Sequence, residues 1–128
     1  MRVLTVLVFM LFAHIVDDYY LQQGILAKLK QKSWWQENEP NKMYRYDYIV
    51  ALAIHAFSWS VMISLPIFIA DNFEPTWLVY LFLVYNAVIH AVIDNAKANL
   101  RKINLITDQC LHFAQILMTW VFWFLLRG

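Results

Sequence analysis

The 128-residue chain is 62% hydrophobic and 15% charged, carries a formal net charge of +1, and has only two glycines and three prolines. That balance excludes a basic nucleic-acid binder and a loop-rich soluble domain, and suits continuous apolar helices with lipid as their solvent. The single cysteine, Cys110, excludes an intramolecular disulfide and a clustered thiolate metal site.

An apolar run of about 20 residues is long enough to cross a bilayer. Four such spans are predicted, at residues 3–26, 48–70, 76–93 and 107–126, so the expected fold is all-α: one polytopic domain built as a four-transmembrane-helix bundle. In the first span His14, Asp18 and Gln22 recur at intervals of four and share one helix face. Asp17 lies about 100° round from Asp18 and is expected to be solvated or to act as a capping charge. Arg2 followed by Val3–Ala13 also has the outline of a secretory signal, but no small-residue cleavage site follows, so the segment reads as a span.

Residues 28–47 form the one long connection. Their lysines (Lys28, Lys30, Lys32, Lys42), Arg45, Trp34 and Trp35 are the mixture expected of a segment lying against lipid headgroups. The second span carries a lone His55, and Asp71-Asn72-Phe73-Glu74-Pro75 then makes a short acidic turn. In the third span Asn86, His90 and Asp94 again recur every four residues. Lys97 follows at the boundary, where it could receive an anionic headgroup or anchor at the interface. The fourth span opens with Asp108 and His112, a third His/Asp pair at the same interval. Ser58, Ser60 and Thr119 have no base at a readable spacing, which gives no support to a serine nucleophile.

Eight of the ten basic side chains fall in the connections after spans one and three, and none in the connection after span two. Cytoplasmic loops are enriched in Lys and Arg, so both basic connections are expected in the cytoplasm and both termini outside. Trp77 and Trp123 would then stand at the outer interface, while Trp59 falls mid-span. In this topology His14, Asp18, His55, His90, Asp94, Asp108 and His112 occupy the cytoplasmic halves of all four spans, as one layer.

Ionisable groups are expensive inside a membrane and mark functional sites. Imidazole with carboxylate suits a divalent ion such as Zn²⁺, Mn²⁺ or Fe²⁺, and the seven residues are the candidate ligands for one or two ions per chain. Seven exceed one tetrahedral shell, so either two ions bind or some aspartates orient the histidines. A helix-bonding polar layer and a proton relay are the competing readings.

The ordered set His14-Ile-Val-Asp-Asp18-Tyr-Tyr-Leu-Gln22, Ile54-His55-Ala56-Phe57, His90-Ala-Val-Ile-Asp94-Asn-Ala-Lys97 and Asp108-Gln109-Cys-Leu-His112 resembles the pattern of small bacterial and phage membrane proteins called domain of unknown function 3307. The resemblance covers nearly the whole chain. It implies a four-helix inner-membrane protein and brings no established activity. A more distant likeness, by analogy, is to membrane-bound metal-dependent hydrolases.

The expected function is therefore a metal-dependent hydrolase of a lipid or polyprenyl-phosphate substrate. Asp18 or Asp108 would be its general base, and Lys97, Gln22 and Asn86 would contact substrate. The alternative is a non-enzymatic phage or bacterial membrane factor, for example one acting in superinfection exclusion, with a structural His/Asp layer. The bilayer is the expected partner, a homo-oligomer is compatible with so small a bundle, and no nucleic acid is expected.

Overall fold

A computed structural model describes residues 2–127 and contains only helices and connections among them. Helix α1 (Val3–Val16) continues into a π-helical turn at Asp17–Leu21. Two short helices follow, α2 (Ile25–Leu29) and α3 (Lys32–Asn38), then a 3₁₀ turn at Lys42–Tyr44. The long helices α4 (Asp47–Ala70), α5 (Trp77–Ala98) and α6 (Leu105–Arg127) complete the chain.

Four stretches, Val3–Leu21, Lys42–Ala70, Trp77–Ala98 and Leu105–Arg127, are long and apolar enough to cross a membrane. α1 packs on α4 and α6, and α5 packs on the same two helices, closing a ring of four. The outer face is apolar, with Leu4, Val8, Phe12, Ile54, Phe57, Val84, Val92 and Leu125 all exposed. In water this surface would be a liability; facing acyl chains it is what a multi-pass bundle requires.

The helix ends have local causes. The first helical stretch stops at Leu21, short of the expected residue 26, because Gly24 takes φ +69° and ψ −126°, a region that residues with a Cβ avoid. α5 continues past the expected residue 93 to Ala98, since nothing in Asp94–Ala98 breaks a helix, and this carries Asp94 and Lys97 on helical faces. α6 starts after Asn104, whose Oδ1 accepts the Thr107 N–H at 2.9 Å as an N-cap.

Each helix buries one stripe, and along that stripe the chemistry changes. Val6, Met10, Trp59, Ile63, Ile67, Val79, Ile116 and Trp123 form an apolar core in one half of the bundle. Toward the end that carries the basic connections, the same stripes become His14 and Asp17 on the first helix, His55 on α4, His90 and Asp94 on α5, and Asp108 and His112 on α6. Trp123 is buried among the helices at the level of the turn after α4: its Nε1–H donates to Asp71 Oδ2 at 2.9 Å, and the Arg127 guanidinium lies over its ring.

Candidate metal centre

The structure brings all seven sequence-derived His and Asp residues into one connected cluster. His14 Nδ1 is 3.5 Å from Asp18 Oδ2, and Asp18 Oδ1 is 3.8 Å from His55 Nε2. Around Asp94 the groups converge most closely. Its Oδ2 is 2.9 Å from His55 Nε2, and its Oδ1 is 3.3 Å from His112 Nε2 and 3.8 Å from His90 Nε2. Asp108 Oδ1 closes the chain, 3.4 Å from His112 Nε2.

Ligand atoms bound at about 2.0–2.1 Å to a tetrahedral ion sit about 3.3 Å from one another. The 3.1 Å between the Nε2 atoms of His55 and His90, and the 2.9–3.3 Å from His55 and His112 to Asp94, lie close to that spacing. Two triads place one donor atom each within 4.8 Å of the others, namely Asp18 with His55 and His90, and His90 with Asp94 and His112. The cluster could therefore hold a metal ion.

Protein partners alone do not satisfy this arrangement. His55 Nε2 faces His90 Nε2 at 3.1 Å, Asp94 Oδ2 at 2.9 Å and the Lys30 ammonium at 3.4 Å, although one ring nitrogen offers a single proton or a single lone pair. Among the described residues, five buried polar side-chain atoms lack a hydrogen-bond partner, and four of them belong to the cluster: Asp18 Oδ1, His90 Nδ1, Asp108 Oδ1 and His112 Nε2. Buried polar atoms are normally paired, so such a concentration points to a missing counterpart.

The surrounding residues fix the rings. Trp59 is the centre of this support: its Nε1–H donates to His14 Nδ1 at 2.7 Å while its ring stacks on His90 at 4.1 Å. His90 in turn stacks on His112 at 4.2 Å. Because His14 Nδ1 accepts from Trp59, its proton resides on Nε2, which donates to Gln109 Oε1 at 3.0 Å. Both nitrogens of His14 are thus engaged, so this residue serves the cluster as a fixed wall, with His55, His90 and His112 facing the centre. Gln115 Oε1 lies 3.3 Å from His112 Nδ1 and orients the last of these rings.

The cations also have defined places. Lys30 reaches in from the end of α2 and donates to Asp94 Oδ2 at 2.7 Å, so its ammonium stands among the groups that would bind an ion. Asn99 holds it there by accepting the Lys32 N–H at 2.7 Å and donating to the Lys30 carbonyl at 3.1 Å. Lys97, expected to meet substrate, instead donates to Asp108 Oδ2 at 2.7 Å, and Gln109 donates to the same oxygen at 3.0 Å.

Two further expectations change. Asn86 is fully buried away from the open end and bonds to Thr119 at 2.8 Å and to Gln115 at 3.3 Å, a packing contact between α5 and α6. Asp17 is not solvated: it is completely buried, its Oδ1 accepting from Ser58 Oγ at 2.9 Å, and Gln22 Nε2 donates to that same hydroxyl at 3.1 Å. The reason is the helical repeat: the buried stripe of the first helix runs Val6, Met10, Ala13 and His14, and Asp17, three residues after His14, continues it.

The roles of Lys30, Trp59, Gln109, Gln115 and Ser58 are absent from the sequence reading. A Gln three residues after His112 and another one residue after Asp108 were weak signals at hand. Lys30 gave none, since its partner is 64 residues away.

These features define a class: an all-helical bundle with four membrane-length helices and a buried His/Asp cluster able to hold a metal. Within that class the chain belongs to the family described as "Protein of unknown function (DUF3307)", which it matches over residues 6–127. No curated protein and no solved structure matches the chain.

Proposed function

We propose that the protein is a membrane-bound, metal-dependent hydrolase acting on a phosphate-bearing lipid or polyprenyl substrate. The observation that carries this reading is the convergence of the His55, His90 and His112 Nε2 atoms on the Asp94 carboxylate, with partnerless polar atoms around them. His90 belongs to both candidate triads, and a neutral imidazole gives one lone pair to one ion at a time, which favours a single Zn²⁺, Mn²⁺ or Fe²⁺.

A bound ion of this kind supplies a water acidified to a pKa of about 7 and a Lewis acid for the scissile group. Asp18 is the better-placed general base of the two candidates. It is 13% exposed at its side chain, whereas Asp108 is fully buried with its Oδ2 held by Lys97 and Gln109. Asp108 then orients His112. The distribution of Lys and Arg supports an orientation with the cluster toward the cytoplasm and both termini outside, as expected in a bacterial inner membrane.

A purely structural layer is the second reading, favoured by the Lys30–Asp94 and Lys97–Asp108 pairs, which bind α2 to α5 and α5 to α6. Metal counting on detergent-purified protein separates the two. Wild type should carry close to one ion per chain, and a His90→Asn/His112→Asn variant that keeps its helicity should carry none and lose lipid-phosphate hydrolysis. No metal in wild type after reconstitution with all three ions would sink the hydrolase and leave the structural layer.

A further inference from the structure

Beside the His/Asp cluster, the connection between the first helix and α4 encloses two cavities that share one wall. The first, of about 310 Å³, is lined by Lys32, Lys42 and Arg45 together with Trp35, Tyr44 and Glu39. The second, of about 360 Å³, is an apolar groove along Leu26, Leu29, Val50, Ala51 and Ile54 that ends at Gln22 and His55, with Asp47 also on its wall. Trp35 lines both. Its position is fixed: Nε1–H donates to the Leu29 carbonyl at 2.7 Å, and its ring stacks on Tyr44 at 6.1 Å and meets Trp34 edge-on.

The charge at this place is uncompensated. Among the described residues the ion pairs of lysine and arginine are Lys30–Asp94, Lys97–Asp108 and Arg127–Asp71, so Lys32, Lys42 and Arg45 face their cavity without carboxylate partners at bonding distance. Three cations against the single Glu39 make that cavity positive. The groove that adjoins it opens on the side of the bundle where Val50 and Ile54 are exposed, the surface suited to acyl chains.

A positive cavity beside an apolar groove, with Trp35 lining both, suits the head and tail of an anionic amphiphile. We propose that this end of the protein binds one anionic phospholipid, its phosphate against Lys32, Lys42 and Arg45 and one acyl chain along the groove toward His55. The site meets the His/Asp cluster only at His55, where the groove ends, and none of the three cations is paired with that cluster.

Native mass spectrometry of the protein released from micelles doped with phosphatidylglycerol, phosphatidylethanolamine or phosphatidylcholine tests the site. Wild type should retain a single phosphatidylglycerol in preference to the other two lipids. Removing the cations in Lys32→Gln, Lys42→Gln and Arg45→Gln should weaken retention on the order of fivefold for each charge lost. Ala51→Phe, which fills the groove and leaves the cations in place, should lose the lipid while inorganic phosphate still competes with what little binds. His90→Asn/His112→Asn should retain the lipid as wild type does. Equal retention of the three lipids, an unchanged preference in the triple variant, or undiminished retention in a still-helical Ala51→Phe would each overturn the proposal.

Discussion

Lys30 shows how much a single side chain decides in this molecule. A buried carboxylate without a partner is strongly disfavoured, and here a lysine brought from another segment supplies the charge that Asp94 needs. In Lys30→Gln the metal-free protein should lose roughly 2 kcal/mol. That is less than the 3–5 kcal/mol of a fully buried pair, because Lys30 keeps some solvent access and Asp94 retains His55. The same variant should bind a divalent ion more tightly than wild type, since the competing ammonium is gone. Thermal unfolding without metal and a metal titration read the two effects. Weaker ion binding in Lys30→Gln would show that the ammonium assists the ion and does not compete with it.

At the scale of the element, the passage out of the first helix sets the geometry of the open end. Entering the π turn at Asp17–Leu21, Asp17 continues the buried stripe of α1 and Asp18 stays near His14 and His55, and the positive φ of Gly24 then redirects the chain into α2. A Cβ on Gly24 would meet nothing within 4 Å, so Gly24→Ala should cost only its backbone strain, about 1–3 kcal/mol, taken from the seating of α2 and not from the bundle. Limited proteolysis should therefore cut residues 28–47 faster in Gly24→Ala while total helicity stays the same. An equal cutting rate would mean that the positive φ does not hold α2 in place.

Sequence patterning exposed the regular parts of these elements and missed the irregular ones. The interval of four that joins His14 to Asp18, His90 to Asp94 and Asp108 to His112 is a property of a helix, and all three pairs lie within 3.8 Å. The Asn99 clamp on the α2–α3 corner and the indole bond from Trp59 to His14 depend on contacts between segments far apart in the chain, for which periodicity carries no signal. Asn86 is a case of depth: it keeps its spacing from His90, but it lies against Thr119 and Gln115, the latter in turn against His112, a placement that periodicity does not disclose.

For the whole molecule, the four membrane-length helices were legible because a lipid-facing surface leaves long uninterrupted apolar runs. The division of the interior into an apolar half and a polar half means that stability and ion binding are linked through the polar half alone. An ion present at a hundred times its dissociation constant should stabilise the fold by about 2.7 kcal/mol, which for a chain of this size raises the melting temperature by on the order of 10 °C. Thermal scans in detergent before and after chelation, with ion added back, measure this. An unchanged midpoint in protein shown to carry metal would place the ion outside the bundle.

The Lys30–Asp94 contact also bears on how such a chain is assembled. With carboxylates counted as ionised and imidazoles as neutral, Asp17, Asp18, Asp94 and Asp108 stand against Lys30 and Lys97, leaving this end of the interior two negative charges from neutrality. A divalent ion added beside the Lys30 ammonium would close that difference, whereas exchanging the ammonium for the ion would leave one negative charge. Lys30 is thus a counterion that the chain carries for itself, and any shift of its ammonium on ion binding would pass through the corner between α2 and α3 to Trp34 and Trp35, two built-in fluorophores at the point where the change would be seen.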